Sequence, residues 1–250
     1  MSFVLDRHVL QISGADAARF LGDLISNTLP EKGAITYAAL LSPQGKYLFD
    51  FFVLRADDGF YIDVAADQAA ALKMRLTMYK LRAAVDIADT DLRVSVGQGE
   101  PPAGALFDPR HPMLGWRAYG ADAQAGDLDW NALYIDQLIP RTGVELIPDQ
   151  TYILEAGFER LNGVDFKKGC YVGQEVTARM KHKTELNKGL IGVSVAGEVP
   201  VDTAIMRADK KIGTVYSNAN GLGIAHLRFA QMGDGMSANG LAVSLREDAS

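Results

Sequence analysis

The apolar positions change period several times along the chain. In Ser13–Ile25, Ala17, Phe20, Leu21, Leu24 and Ile25 fall on one helical face, and Ser13 is placed to cap it. Ala34–Leu41 and Lys46–Arg55 read as strands, and the SPQG between them (42–45) reads as a hairpin turn. Phe60–Val64 is a third strand. Asp67 is placed to cap a second helix running to about Leu81, with Ala69, Leu72, Leu76 and Tyr79 on one face. Ala83–Ile87 and Leu92–Val96 are short strands. This order of helix, strands, helix, strands predicts an α+β fold rather than a regular α/β alternation.

Gln98–Gly104 breaks the pattern, and Asp108–Tyr119 reads as a turn followed by a strand. Asp129–Ile139 is a short helix. After Asn187 the texture changes. GLIGVSV, AIMRA, KIGTVYS, GLGIAHL and LAVSL are short strand candidates separated by turn residues. Five or six such strands in this length predict a small closed barrel. The boundary therefore falls between 1–186 and 187–250, the barrel. There is no internal repeat.

Composition narrows the function classes. The chain has 250 residues, 48% hydrophobic and 22% charged, with a net charge of −6, which fits a globular protein without a global basic surface for nucleic acid. Its one cysteine excludes an intramolecular disulfide and any all-cysteine metal site built by one chain. The start, MSFVLDRHVLQISG, is too polar for a signal peptide, and no apolar run is long enough to span a membrane. These features lead to the expectation of a cytoplasmic protein, monomeric and off the membrane.

That one cysteine lies in FKKGCYVGQE, Phe166–Glu175. Lys167 and Lys168 precede Cys170, a setting that favours thiolate. Gly169 and Gly173 permit a tight turn and close approach of a ligand. Gln174 and Glu175 offer amide and carboxylate groups to a hydrogen-bonding ring. Arg179, Lys181, Lys183 and Lys188 extend a basic patch against Glu185 alone, suited to an anionic ligand. The bland alternative is a buried cysteine beside a solvated charge run. His8, His111, His182 and His226 are scattered and read as surface or core histidines rather than metal ligands. No dinucleotide, phosphate-loop, zinc-protease or nucleophile-elbow motif occurs.

FKKGCYVGQE, with Lys168, Gly169, Cys170, Tyr171, Gly173, Gln174 and Glu175, resembles the signature of the YgfZ family. These are folate-binding proteins tied to iron–sulfur cluster assembly and repair, related to the aminomethyltransferase of the glycine cleavage system. HVLQISGADAARFLGDLISN and YAALLSPQGKYLFDFFVLR are similar to that family's opening strand and helix and its central hairpin. The resemblance implies an aminomethyltransferase-like folate-binding fold, three lobes around a central cavity, with a C-terminal barrel. ILEAG, Ile153–Gly157, is similar to the segment whose glutamate holds the pterin ring, which makes Glu155 the matching residue. The alternative for Glu155 is an exposed glutamate at a helix start. Asp50, Lys188 and Arg179 complete the expected folate set. Aminomethyltransferases carry an adjacent acidic pair in the hairpin, whereas this chain has LFDF, with Phe49 in place of one acid and Asp50 matching the other. Phenylalanine cannot move a proton. Asp50 is left either to bind ligand or to face solvent from an edge strand.

The leading expectation is a tetrahydrofolate-binding accessory protein of iron–sulfur cluster assembly or repair. Folate would be bound non-covalently, and any effect on tRNA modification would run through cluster enzymes. Cys170 would be the functional thiol, as a cluster ligand shared with a carrier or client protein, an exchanging thiol or a redox sensor, since one cysteine cannot complete a cluster site. The second expectation is a folate-dependent one-carbon transferase, an aminomethyltransferase or demethylase. Direct action on RNA is the weakest, because aromatic side chains are not interleaved with the basic ones.

Overall fold

The computed structural model describes residues 2–4, 6–120, 129–183 and 185–246, with the backbone alone for 2–4 and 183. The described chain divides into two compact units, 1–128 with 159–176, and 129–158 with 177–250.

The first unit is built on an antiparallel five-stranded sheet. It runs β3 (Ile35–Leu41), β4 (Tyr47–Ala56), β5 (Gly59–Ala65), β2 (Arg7–Ser13) and β6 (Asp86–Asp89). A second sheet joins β1 (Ser2–Val4), β7 (Arg93–Gly97), β9 (Trp116–Gly120) and β8 (Leu106–Phe107). Helices α1 (Ala17–Gly22) and α2 (Ala66–Lys80) cover one face of the larger sheet, where Phe20, Leu21, Leu72 and Leu76 pack with Ile12, Phe49, Phe51 and Ile62. Strand β4 lies between β3 and β5 and is buried on both faces, which explains its near-continuous apolar run.

The helix starts differ from the expected ones. Ser13 ends β2, and α1 begins at Ala17. The preceding Asp16 does not cap the helix, because its carboxylate accepts the Ala84 N–H at 2.7 Å. Helix α2 starts ahead of Asp67, which sits in the first turn without a capping bond. The strand expected at Ala83–Ile87 is β6, shifted because its pairing with β2 sets the register.

The second unit contains α3 (Trp130–Asp136), whose N-terminus is capped by Asp129 accepting the Ala132 N–H at 2.9 Å. Its barrel closes in the order β10 (Lys188–Val195), β13 (Leu222–Arg228), β12 (Lys210–Ala219), β11 (Thr203–Arg207), β14 (Met236–Ala238) and β15 (Leu241–Leu245), with β15 pairing back to β10. Val193, Val195, Ile205, Val215, Ala225 and Leu227 fill it. Helix α4 (Gln174–Lys183) adds to the elements read from the sequence, where this stretch reads only as part of the basic patch. Among the described residues no helix is long and apolar enough to cross a membrane.

Candidate functional site

The signature segment is an exposed loop tied down on both sides of its cysteine. Asp165 N–H donates to Ser26 O at 3.0 Å, and Val172 N–H donates to Asp23 O at 3.2 Å. The Lys168 ammonium donates to Gly22 O at 2.8 Å and Ile25 O at 2.6 Å, carbonyls at and just beyond the end of α1, where the helix dipole favours a cation. It also lies 5.0 Å from the ring centroid of Tyr171, which is buried. Burial pulls the Lys168 pKa down to about 8, against the opposing pull of Asp165 and Asp23. The Thr28 hydroxyl and the Lys167 N–H both donate to the Asp165 carboxylate, at 2.5 and 2.8 Å. These two bonds hold the Asp165 carboxyl below its usual range.

Cys170 is exposed between these anchors. The two expected neighbours of the thiol therefore part company. Lys167 is exposed, whereas Lys168 turns inward to the carbonyls and fixes the loop.

The two glycines of the loop also differ. Gly173 has φ +83, and a Cβ there would lie 2.7 Å from Ser42 O in the hairpin turn. It is thus required both for its conformation and for the close approach. Gly169 has open space where a Cβ would sit, so it leaves the backbone beside the thiol uncovered. Gln174 and Glu175 open α4 directly after Gly173, with Gln174 N–H donating to Tyr171 O at 3.2 Å.

Asp50 does not face solvent from an edge strand. It is buried on the inner strand β4 and accepts the hydroxyls of Tyr37 at 3.0 Å and Tyr47 at 2.7 Å. The strand's alternation sends Phe49 to the other face, into the apolar core under the helices.

On the Asp50 side of the sheet lies an ionic network missed in the sequence. The Asp63 carboxylate takes Arg7 at 2.5 Å, Arg117 at 2.6 Å and the Tyr119 hydroxyl at 2.8 Å. Arg117 continues at 3.3 Å to Asp108, which also binds Arg110 at 2.8 Å. The Arg117 guanidinium stacks 3.8 Å from the Phe52 centroid. Burial pushes the Asp63 and Asp108 carboxyls up, but the guanidinium groups more than offset it and hold both below the usual carboxylate range.

The second unit carries a cavity of about 150 Å³ lined by Glu145, Thr151, Glu155, Lys188, Tyr216 and His226, among others. Gly189 lets the 155 segment approach β10 closely. A Cβ there would lie 3.0 Å from Glu155 O, and without one the 155 segment closes on β10, with Leu190 N–H donating to Glu155 O at 2.7 Å. Glu155 sits in a run of turns rather than at a helix start, and its side chain is 10% exposed. Its Oε2 meets His226 Nε2 at 3.3 Å and Lys188 Nζ at 3.5 Å, and among the described residues Oε1 has no partner.

Glu145 is buried, accepts the Arg141 N–H at 2.9 Å and takes the Ser217 hydroxyl. Burial raises its carboxyl pKa. A bulge in β12, where the register shifts between Val215 and Ser217, lets the adjacent Tyr216 and Ser217 both serve this region. Burial and the surrounding carboxylates Asp202, Glu145 and Glu155 push the Tyr216 phenol up.

The structure thus brings together Glu155 and Lys188 of the expected folate set. Arg179 is exposed on α4, Asp50 belongs to the first unit, and the Lys183 side chain lies outside the described residues. His226, Glu145, Tyr216 and Ser217 carried no local signal in the sequence. The cavity has the donor and acceptor groups to read a flat heterocycle. Glu155 Oε1 suits a ring N–H donor, and the Lys188 ammonium beside Oε2 suits a ring carbonyl. Its volume falls short of the roughly 300–1,000 Å³ of pockets that enclose a whole drug-sized ligand. The chemistry of the cavity suits a pterin head, whereas its volume is too small for a whole folate.

Comparison with known proteins places the chain. A family model described as the C-terminal beta-barrel domain of CAF17 matches residues 187–249. The mouse mitochondrial iron-sulfur cluster assembly factor IBA57 is 32% identical over 240 residues, 79% of this chain and 67% of its own length. The human protein of that name is 29% identical over 272 residues, covering 90% and 76%. The Pyricularia oryzae homologue is 29% identical over 282 residues, covering 91% and 71%. Glycine cleavage system aminomethyltransferase T from Bartonella henselae superposes with a TM-score of 0.78 at 15% identity, over 98% of this chain and 84% of that one.

The fold is therefore that of an aminomethyltransferase with a closed six-stranded C-terminal barrel, as expected. The cytoplasmic placement is corrected. All three relatives are named mitochondrial, which points to that compartment instead.

Proposed function

This chain belongs to the IBA57 family of iron–sulfur cluster assembly factors, and we propose that it works in cluster assembly or repair by presenting Cys170 to a partner protein. The observation that carries the reading is the exposed thiol on a loop fixed by Lys168, Asp165 and Val172. A loop ordered before its partner arrives loses less entropy on binding. As a ligand, the Cys170 sulfur would lose its proton and donate to one iron of a transferred cluster. The remaining ligands would come from the carrier or client, because this chain has no second cysteine. The cluster is cargo.

Within the family, the FKKGCYVGQE signature favours a YgfZ-like protein that binds tetrahydrofolate non-covalently. Glu155 would hold the pterin through Oε1, with Lys188 and His226 beside it. Bound tetrahydrofolate would supply a carrier of one-carbon units. Effects on tRNA modification would be indirect, through modifying enzymes that need clusters, and the chain would act as a monomer.

The second reading, a folate-dependent one-carbon transferase, is favoured by the superposition on aminomethyltransferase T. It is weakened by Phe49, which lies in the apolar core and stands in place of one acid of the hairpin pair.

The test is removal of the chain from its own cells. Cluster-dependent enzymes should lose activity while cluster-free enzymes of the same compartment keep theirs. Normal cluster enzymes, with loss of a one-carbon product instead, would select the second reading.

A further inference from the structure

Helix α2 is apolar on two faces, and only one of them is covered. Ala69, Leu72 and Leu76 are buried against the sheet. On the other side Met74, Met78 and Leu81, spaced i, i+4 and i+7, form one stripe continued upward by Ala70 and Ala71. Their exposures are 64%, 63% and 87%. Leu81 follows the last turn at φ +47 and ψ −106, a conformation that suits glycine, yet the chain holds a leucine side chain out into solvent there.

The rim of the stripe is charged. From residue 73 to 82 the chain carries Lys73, Arg75, Lys80 and Arg82 and no acid, in a protein of net charge −6. Lys73 is paired with Asp89 at 2.5 Å. Arg75, Lys80 and Arg82 have no ion-pair partner among the described residues.

We propose that this face of α2 is a docking site for a protein partner that offers an apolar groove rimmed by carboxylates. Three features select that occupant. Methionine is flexible and polarisable and fits protein grooves. The unpaired cations call for an acidic rim and oppose a second copy of the same face, which would set like charges against each other. The stripe lacks the Trp and Phe typical of a helix lying on a membrane. The proposal rests on the assembly reading for the partner's identity as an iron–sulfur carrier or client.

The probe is the [2Fe–2S]-loaded carrier protein of the same organism, titrated by calorimetry into the full chain at low and high salt. Met74→Ser with Met78→Ser, and separately Arg75→Glu with Arg82→Glu, should each weaken binding about tenfold or more. The arginine pair should also flatten the salt dependence. Tetrahydrofolate affinity should stay unchanged in both, which shows that the variants are folded. Equal carrier binding by the unaltered chain and both variants overturns the docking site alone. Failure of the unaltered chain to bind overturns it together with the assembly reading. Binding to phosphatidylglycerol vesicles, or dimerisation, that is lost in the variants while carrier binding persists overturns it in favour of a membrane or a second copy.

Discussion

Phe49 and Asp50 are consecutive on β4, and the strand turns one into the apolar core and the other to the hydroxyls of Tyr37 and Tyr47. An acid at 49 would be a buried, unpaired charge. Phe49→Asp is expected to cost at least about 3 kcal/mol in chemical denaturation. It should confer no aminomethyl transfer in a reconstituted glycine-cleavage assay. A stable variant that turns over would show that a carboxylate at 49 is tolerated and was all the transfer chemistry lacked.

The Glu155 cavity predicts a folate effect. Glu155→Ala should weaken tetrahydrofolate binding by about 1.5–3 kcal/mol, the scale of hydrogen bonds to a charged group. Calorimetry on the two proteins measures it, and equal affinities would remove Glu155 from the site.

The Arg117–Asp63 pair predicts an acid response. Asp63 and Asp108 have folded values below the ordinary carboxylate pKa of 3.8, so as pH falls the unfolded chain takes up protons first. Their stabilisation is whole above that value and is lost as pH drops through it toward the folded values. Arg117→Met leaves Asp63 short of one cation and should cost about 3–5 kcal/mol at neutral pH. It should also move acid unfolding, followed by circular dichroism, to higher pH. An unmoved acid midpoint would mean the network adds nothing.

Strands and barrel were legible because their signal is local, an alternation interrupted by turn residues, as in SPQG between β3 and β4. Helix α4 was not legible, since Val176, Ala178 and Met180 are its few apolar residues in a run otherwise polar or charged. The Glu155–Lys188 pairing was within reach because a motif pointed to each partner. His226 and Tyr216 were not, because closure of the barrel and the β12 bulge bring them to Glu155. Lys168 reads in sequence as charge beside a thiol. Its partners, Gly22 and Ile25, lie 146 and 143 positions away, where no local pattern reaches.

Those distant partners predict a loop effect. Lys168→Met keeps most of the apolar stem and removes both carbonyl bonds. Stability should fall by about 1–2 kcal/mol, and amide exchange should quicken across residues 165–172 first. Exchange no faster there than elsewhere would show that the tether is dispensable.

A chemical role for Cys170 and a packing role have opposite consequences for its alanine variant. An exposed side chain away from any network changes stability by within about 0.5 kcal/mol when truncated. The deciding measurement is cluster-enzyme activity in cells lacking the chain, supplied with Cys170→Ala whose melting temperature has been matched to the unaltered protein. The expected result is an unchanged melting temperature and no rescue. Full rescue by that folded variant would contradict it.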